Sequence, residues 1–307
     1  MNNISVAEVL KEWYAITDCQ IEPDTKGSGT NYWIDDKYLL KVFANNVKYR
    51  LEDEIAVCDF LRSRGVPTSE HVLSRDGHYI QQIGEYRYHL QKKIPGVAHE
   101  GNSLCFDECS LLLRRLKQIV ELLSEFPSET KVNMLFSHEY VKADIIGAIS
   151  MRCCNTVPDL LSILERKKEL INRIRFQNGL VQHVILSHSD YNIQQVLTTD
   201  NKLRTLADMI VIDFSHVSKV PIEWEIIKTC LRSMHFEKES CIQAILYSFS
   251  MFESVVPMTY NNICIAIMQL ISSSYMEKLY INTHNQEWLD RINYDLDVLE
   301  TVYESVR

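Results

Sequence analysis

The chain has 307 residues, 46% of them hydrophobic and 24% charged, and a formal net charge of -9, ordinary values for a folded globular protein. Negative charge without a basic stripe argues against a nucleic-acid binder, and no apolar run approaches the length that spans a bilayer. Nine cysteines with no Cys-x-x-Cys pair read as reduced thiols, and Met1 to Ser5 lacks a basic segment followed by an apolar one, so the expected location is the cytoplasm.

In chain order, Ser5 is a plausible N-cap for a short helix over Val6 to Tyr14, with Val6, Leu10 and Tyr14 at helical spacing. Lys26-Gly27-Ser28-Gly29-Thr30-Asn31 suits a tight turn whose backbone N–H groups can approach phosphates. Taken alone, those six residues read as a hairpin turn. Tyr32 to Ile34 and Tyr38 to Phe43 are strand-like, turned at Asp35-Asp36, and Lys41 lies inside the second. If it points inward it needs an anionic partner. A helix is predicted from about Asn46 to Arg64, with Val47, Leu51, Ile55, Cys58 and Leu61 as its apolar stripe and Gly65 and Pro67 as stop signals. Glu54 borders that stripe, within reach of an inward Lys41. Strands follow over Tyr79 to Ile83 and Tyr86 to Leu90.

Strands before residues 92–96 and mostly helical patterns after them divide the chain into 1–94 and 95–307. The second part carries helical patterns over roughly Ser110 to Phe126, His138 to Met151 and Pro158 to Gln177. Short strands are expected at Val196 to Thr198 and Met209 to Phe214, across a turn at Asp200-Asn201. From Trp224 onward the pattern is mainly helical, with an acidic face that includes Asp290, Asp295, Asp297, Glu300 and Glu304. The fold class is α+β.

The chemistry concentrates in Ile185-Leu186-Ser187-His188-Ser189-Asp190-Tyr191-Asn192-Ile193-Gln194-Gln195-Val196-Leu197 and, downstream, Val211-Ile212-Asp213-Phe214. Phosphoryl transfer needs a metal on phosphate oxygens, a cation on the nucleotide and a carboxylate at the acceptor hydroxyl. Magnesium takes oxygen ligands and few of them from protein. Asp190, an amide five positions later, and Asp213 at a strand end can supply those parts. The histidines lack metal-ligand spacing, and no Gly-x-Ser-x-Gly elbow surrounds Ser187 or Ser189.

The loop His188 to Leu197 resembles the His-Gly-Asp-x-x-x-x-Asn loop of the aminoglycoside phosphotransferase and choline kinase superfamily. Ile212-Asp213-Phe214 is similar to its metal-binding motif, and Val220-Pro221-Ile222-Glu223-Trp224-Glu225-Ile226 to the segment after it, with Glu225 in the acidic position. Upstream, Gly27-Ser28-Gly29 resembles the nucleotide loop, Leu40-Lys41-Val42-Phe43 the lysine strand, Glu54-Ile55 the helix of its ion-pair partner, and Tyr88 to Gly96 the hinge. The likeness covers roughly residues 20 to 230, in the family's order.

This resemblance implies a two-lobe protein-kinase-like fold, with a small antiparallel sheet plus helix N-lobe and a mainly helical C-lobe, binding ATP or another nucleoside triphosphate and Mg2+ between them. Asp190 would be catalytic, orienting the acceptor hydroxyl and taking its proton. Asp213 and Gln195 would hold the metal, Lys41 the phosphates and Glu54 Lys41. The backbone of Lys92, Lys93 and Ile94 would meet the adenine, and His188 would be structural. Two residues depart from the pattern: Ser189 stands for glycine, which strains the loop if φ is positive there, and Gln195 stands for asparagine. The acceptor would be a small-molecule hydroxyl, by the acidic tail a cationic one such as an aminoglycoside-like antibiotic or an amino alcohol. A homoserine- or sugar-type kinase and an inactive, spore-coat-like binding protein are the alternatives. A protein kinase is disfavoured because Pro221 follows Asp213 too closely for an activation segment.

Overall fold

Strand-forming and helix-forming segments separate along the chain, and the fold follows from that separation. The computed structural model describes residues 5–24, 30–44, 51–99, 103–127, 132–154, 156–177, 179–235 and 237–307. Helix α1 (Val6–Tyr14) begins in a capping box between Ser5 and Glu8. It is followed by β1 (Ile21–Pro23), β2 (Thr30–Ile34), β3 (Tyr38–Ala44), α2 (Leu51–Ser63), β4 (His71–Val72), β5 (Ile80–Ile83) and β6 (Tyr86–Lys92). Among the described residues these strands form one antiparallel sheet in the order β1-β2-β3-β6-β4, with β5 also on β6. Asp35 and Asp36, both at positive φ, make the β2–β3 turn. The short β1 and β4 were not expected; two or three residues carry too little periodicity to register.

The remainder holds β7 (Val97–Ala98), α3 (Phe106–Leu123), α4 (Lys142–Cys154), α5 (Pro158–Arg173), β8 (Ile185–Ser187), β9 (Val196–Thr198), β10 (Ile210–Val211) and β11 (Ser218–Val220). Helices α6 (Ile222–Ser233), α7 (Lys238–Phe252), α8 (Tyr260–Ser272), α9 (Tyr275–Thr283) and α10 (Gln286–Val306) complete it. The nine cysteines are all free. No helix among the described residues is long and apolar enough to cross a membrane.

Among the described residues, buried side chains form two clusters. A small one joins Val9 and Leu10 of α1 to Ile34, Leu40, Tyr88 and Leu90 of the sheet. The large one runs through the helical part and also takes in Val57, Cys58 and Leu61 of α2. Helix α2 therefore belongs by chain order with the sheet and by packing with the helices. The strand-like chain just after it continues that tie, since Val211 N–H donates to Pro67 O (3.1 Å). The residue that α2 presents to the sheet is thereby fixed to the same body that carries Asp213.

Candidate active site

The stretch from His188 to Gln195 lies between β8 and β9, and Asp213 follows β10. Strand β8 pairs with β11 and β9 with β10, so two short ladders hold both ends of the loop. Within it, His188 is fully buried. Its Nε2 donates to Ile212 O (2.9 Å) and its Nδ1 accepts from Asp190 N–H (3.3 Å). Both ring nitrogens are thus committed to backbone, and the ring packs against Phe214 and Tyr191. This geometry makes His188 a strut between the two carboxylate segments.

Helix α6 grips the loop from below. Glu225 Oε1 accepts from Tyr191 N–H (3.3 Å), Thr229 Oγ1 donates to Tyr191 O (2.8 Å), and Ser233 Oγ accepts from Ile193 N–H (3.2 Å). Lys228 Nζ donates to Ser189 O (2.9 Å) and to Asp190 Oδ1 (2.7 Å), and Arg232 Nη1 donates to the same Oδ1 (2.7 Å). Residues 225, 228, 229, 232 and 233 follow the i, i+3, i+4, i+7, i+8 pattern of one helix face, here a polar stripe in an otherwise apolar helix. Only Glu225 of this stripe was singled out from sequence. The spacing alone reads as the solvated face of an amphipathic helix, and only the tertiary structure shows that most of this face is buried against the loop.

Ser189 has φ +64°, the left-handed region that a glycine occupies without strain and that costs other residues on the order of 1 kcal/mol or more. Its hydroxyl offsets that cost by pairing with Ser218 Oγ (2.8 Å) and donating to Ser218 O (3.2 Å).

Asp190 is one-quarter exposed. Burial would raise its pKa, but Lys228 and Arg232 more than reverse this and hold it below the usual carboxylate range. Both cations sit on Oδ1, and among the described residues nothing donates to Oδ2.

Lys41 points inward from β3. Its Nζ lies 3.3 Å from Glu54 Oε1 and 3.9 Å from Asp213 Oδ1. Burial pulls its pKa down, but Glu54 and Asp213 outweigh this and hold the ammonium above its usual value. Glu54 is fully buried. The strand, the helix and the loop after β10 thus converge on one ion pair and one further carboxylate. Behind it, His71 Nδ1 and His89 Nε2 lie 2.6 Å apart with the rings stacked. Burial, with Lys41 nearby, depresses the pKa of His71 to about 3, so this wall is neutral.

Asp213 also adopts a left-handed φ of +60°. Its Oδ1 accepts from Ser215 Oγ (2.8 Å). Burial raises its pKa, whereas Lys41 and the Ser215 bond bring it below the ordinary range. Gln195 O accepts from Ile212 N–H (3.0 Å), which sets Gln195 beside the residue preceding Asp213. Its side chain is half-buried and has no partner among the described residues. The described residues contain no cluster of three or more His, Cys, Asp or Glu side chains suited to a metal. A carboxylate and an amide oxygen on hydrogen-bonded neighbouring segments nevertheless fit magnesium, which draws its other ligands from phosphate and water.

In the segment expected as the hinge, Lys92 N–H donates to Glu70 O (2.9 Å) and Lys93 N–H to Lys37 O (2.6 Å). Their ammonium groups pair with Glu70 and Asp36. Of the three hinge residues, Ile94 alone keeps its N–H without a partner among the described residues. Gly27, Ser28 and Gly29 lie outside the described residues, as do positions 45–50 at the start of the expected second helix.

The sequence matches no family model and no curated protein, but solved structures match it over nearly the full chain. A microcompartment-associated aminopropanol kinase is 13% identical, covers 98% of this chain and 97% of its own, and has a TM-score of 0.61. An amicoumacin kinase in complex with AMP-PNP and Ca2+ is 12% identical, with coverage of 96% and 92% and a TM-score of 0.60. An aminoglycoside phosphotransferase from Alicyclobacillus acidocaldarius is 13% identical, with coverage of 100% and 97% and a TM-score of 0.59. The chain has the two-lobe, kinase-like fold of the aminoglycoside phosphotransferase-like small-molecule kinases.

Proposed function

We propose that the protein is a phosphotransferase that moves the γ-phosphoryl group of ATP to a hydroxyl of a small molecule. The observation that carries this reading is the convergence of Lys41, Glu54 and Asp213 from three separate segments, with the Asp190 loop tied to the Asp213 segment through His188. Residues 1–94 would serve the nucleotide and 95–307 the acceptor. Lys41, kept charged by Glu54, neutralises the nucleotide phosphates. Gly27, Ser28 and Gly29 are assigned to the phosphates by their resemblance to the nucleotide loop, and the Lys92 to Ile94 segment meets the adenine, chiefly through the N–H of Ile94. Asp213 and Gln195 would hold magnesium, which when bound would neutralise charge on the phosphate oxygens. Asp190 Oδ2 accepts the hydrogen bond of the acceptor hydroxyl, orients it and takes its proton as the bond to phosphorus forms. A carboxylate of low basicity suits a loose transition state, in which the hydroxyl proton leaves late and positioning matters most. An ATP-consuming enzyme with nine free cysteines belongs in a reducing, ATP-supplied compartment, the cytoplasm.

An acceptor panel of aminoglycosides, amino alcohols, homoserine and sugars, read by ATP consumption with Asp190→Asn in parallel, tests this function. Loss of roughly 10²- to 10⁴-fold in the variant is expected for a general base. Absence of magnesium-dependent nucleotide binding by calorimetry would refute the reading and favour a kinase-fold binding protein.

The cationic acceptor suggested by the acidic tail has a weaker basis at atomic level. Asp297 and Glu300 are paired with Arg166 and Arg173, and Asp295 with Arg291. The tail's charge is therefore largely engaged, in holding α10 to α5 and in a pair within α10 itself.

A further inference from the structure

We infer that the acceptor carries an anionic group, a carboxylate or a phosphate ester, and that Arg232 receives it. The inference rests on the reading of Asp190 as the acceptor-side carboxylate.

Arg232 differs from the rest of the α6 stripe. Glu225, Lys228, Thr229 and Ser233 are buried and bonded into the loop, whereas the Arg232 side chain is 46% exposed. It spends one donor, Nη1, on Asp190 Oδ1. Among the described residues its Nη2 and Nε meet no acceptor. Asp190 does not need it for neutralisation, since Lys228 already sits on the same oxygen at 2.7 Å with its own ammonium over the Trp224 ring. Two cations on one carboxylate leave an excess positive charge beside Oδ2, where the acceptor hydroxyl is held.

Apart from Asp190, no acid among the described residues contacts the Arg232 guanidinium: Glu225 accepts from Tyr191 N–H and its charge acts on the buried Lys228, and Asp295 is buried and paired with Arg291 at 3.2 Å. An amine on the open side of Arg232 would face a like charge. A carboxylate or phosphate would complete the open side of a planar guanidinium, the geometry to which its paired donors are matched. The local sign is opposite to that of the whole chain, whose -9 is a surface average.

The test uses acceptors that share a skeleton and differ in charge: glycerate, glycerol and aminopropanediol, then gluconate, glucose and glucosamine. Glycerol phosphate and glucose phosphate separate phosphate from carboxylate recognition. Binding to the full-length protein with AMP-PNP and magnesium is read by calorimetry, and turnover by ATP consumption. At least one anion should bind more tightly than its neutral and cationic counterparts. Arg232→Gln should raise the Kd or KM for that anion by about 10- to 100-fold, the loss of a hydrogen bond to a charged group, and Arg232→Lys should recover part of it. Tighter binding of the amines, or no anion preferred over its neutral counterpart, overturns the inference. So does a fall in kcat by the same factor for charged and neutral acceptors with KM unchanged, which would assign Arg232 to the transferring phosphoryl group. Failure of the wild-type protein to bind AMP-PNP with magnesium would instead remove the underlying function.

Discussion

Glu54→Gln is the most informative single change in the nucleotide half of the site. It preserves shape and an acceptor oxygen while deleting one charge from a fully buried position. The Lys41–Glu54 separation of 3.3 Å corresponds to about 5 kcal/mol at an effective dielectric constant near 20. Part of this is recovered, because Asp213 remains 3.9 Å from the same ammonium but is partly exposed and screened. Removing one member of a buried pair costs about 3–5 kcal/mol, so with Asp213 present a loss of about 3 kcal/mol is expected. For a chain of 307 residues that lowers Tm by roughly 5 °C. Urea denaturation of Glu54→Gln, Lys41→Met and the double variant isolates the pair term as a double-mutant cycle. The nucleotide Kd should rise in parallel, since Lys41 loses the partner that holds it in place. A coupling energy below about 0.5 kcal/mol, with unchanged nucleotide affinity, would refute the reasoning and reduce the pair to a fortuitous contact.

Other consequences are equally open to measurement. Ser189→Gly should be close to neutral in stability, because relief of the positive φ offsets loss of the Ser218 bonds. Ser189→Ala keeps the strain and loses those bonds, so denaturant titration should show it about 1–2 kcal/mol less stable than wild type. Gln195→Asn should retain or raise activity if the amide oxygen serves the metal, and complete loss of turnover would show that the longer side chain has another role. His71 binds a proton at about pH 3 when folded but near 6.5 when unfolded. The unfolded state therefore binds more protons between those values, and stability is highest above pH 6.5 and falls as the pH drops. This term is about 2 kcal/mol between pH 6.5 and 5, and a His71→Gln variant should show a shallower loss in urea midpoints over that window.

Much of this protein was legible in one dimension because its signals are local. The Ser5 cap and the Val6, Leu10, Tyr14 spacing define α1 without outside help. The loop from His188 to Gln195 and Asp213 are recognisable because phosphoryl transfer needs particular groups at short spacing, and the β9–β10 pair follows from apolar runs separated by turn residues, whereas β8 and β11 were not expected from the sequence. The register that turns Lys41 inward was not legible, since alternation in a strand gives two faces but not which face is buried. Neither was the membership of α2 in the large core, which depends on contacts more than 50 residues away in sequence. The environment of Asp190 illustrates the limit most clearly. Its loop is defined by adjacent residues, but its charge state and the sign of its surroundings are set by Lys228 and Arg232, 38 and 42 residues downstream. Sequence determined which groups are present, because chemistry resides in residue types. Tertiary structure decided which of them meet, because Coulomb interactions fall off with distance in space and do not follow separation along the chain.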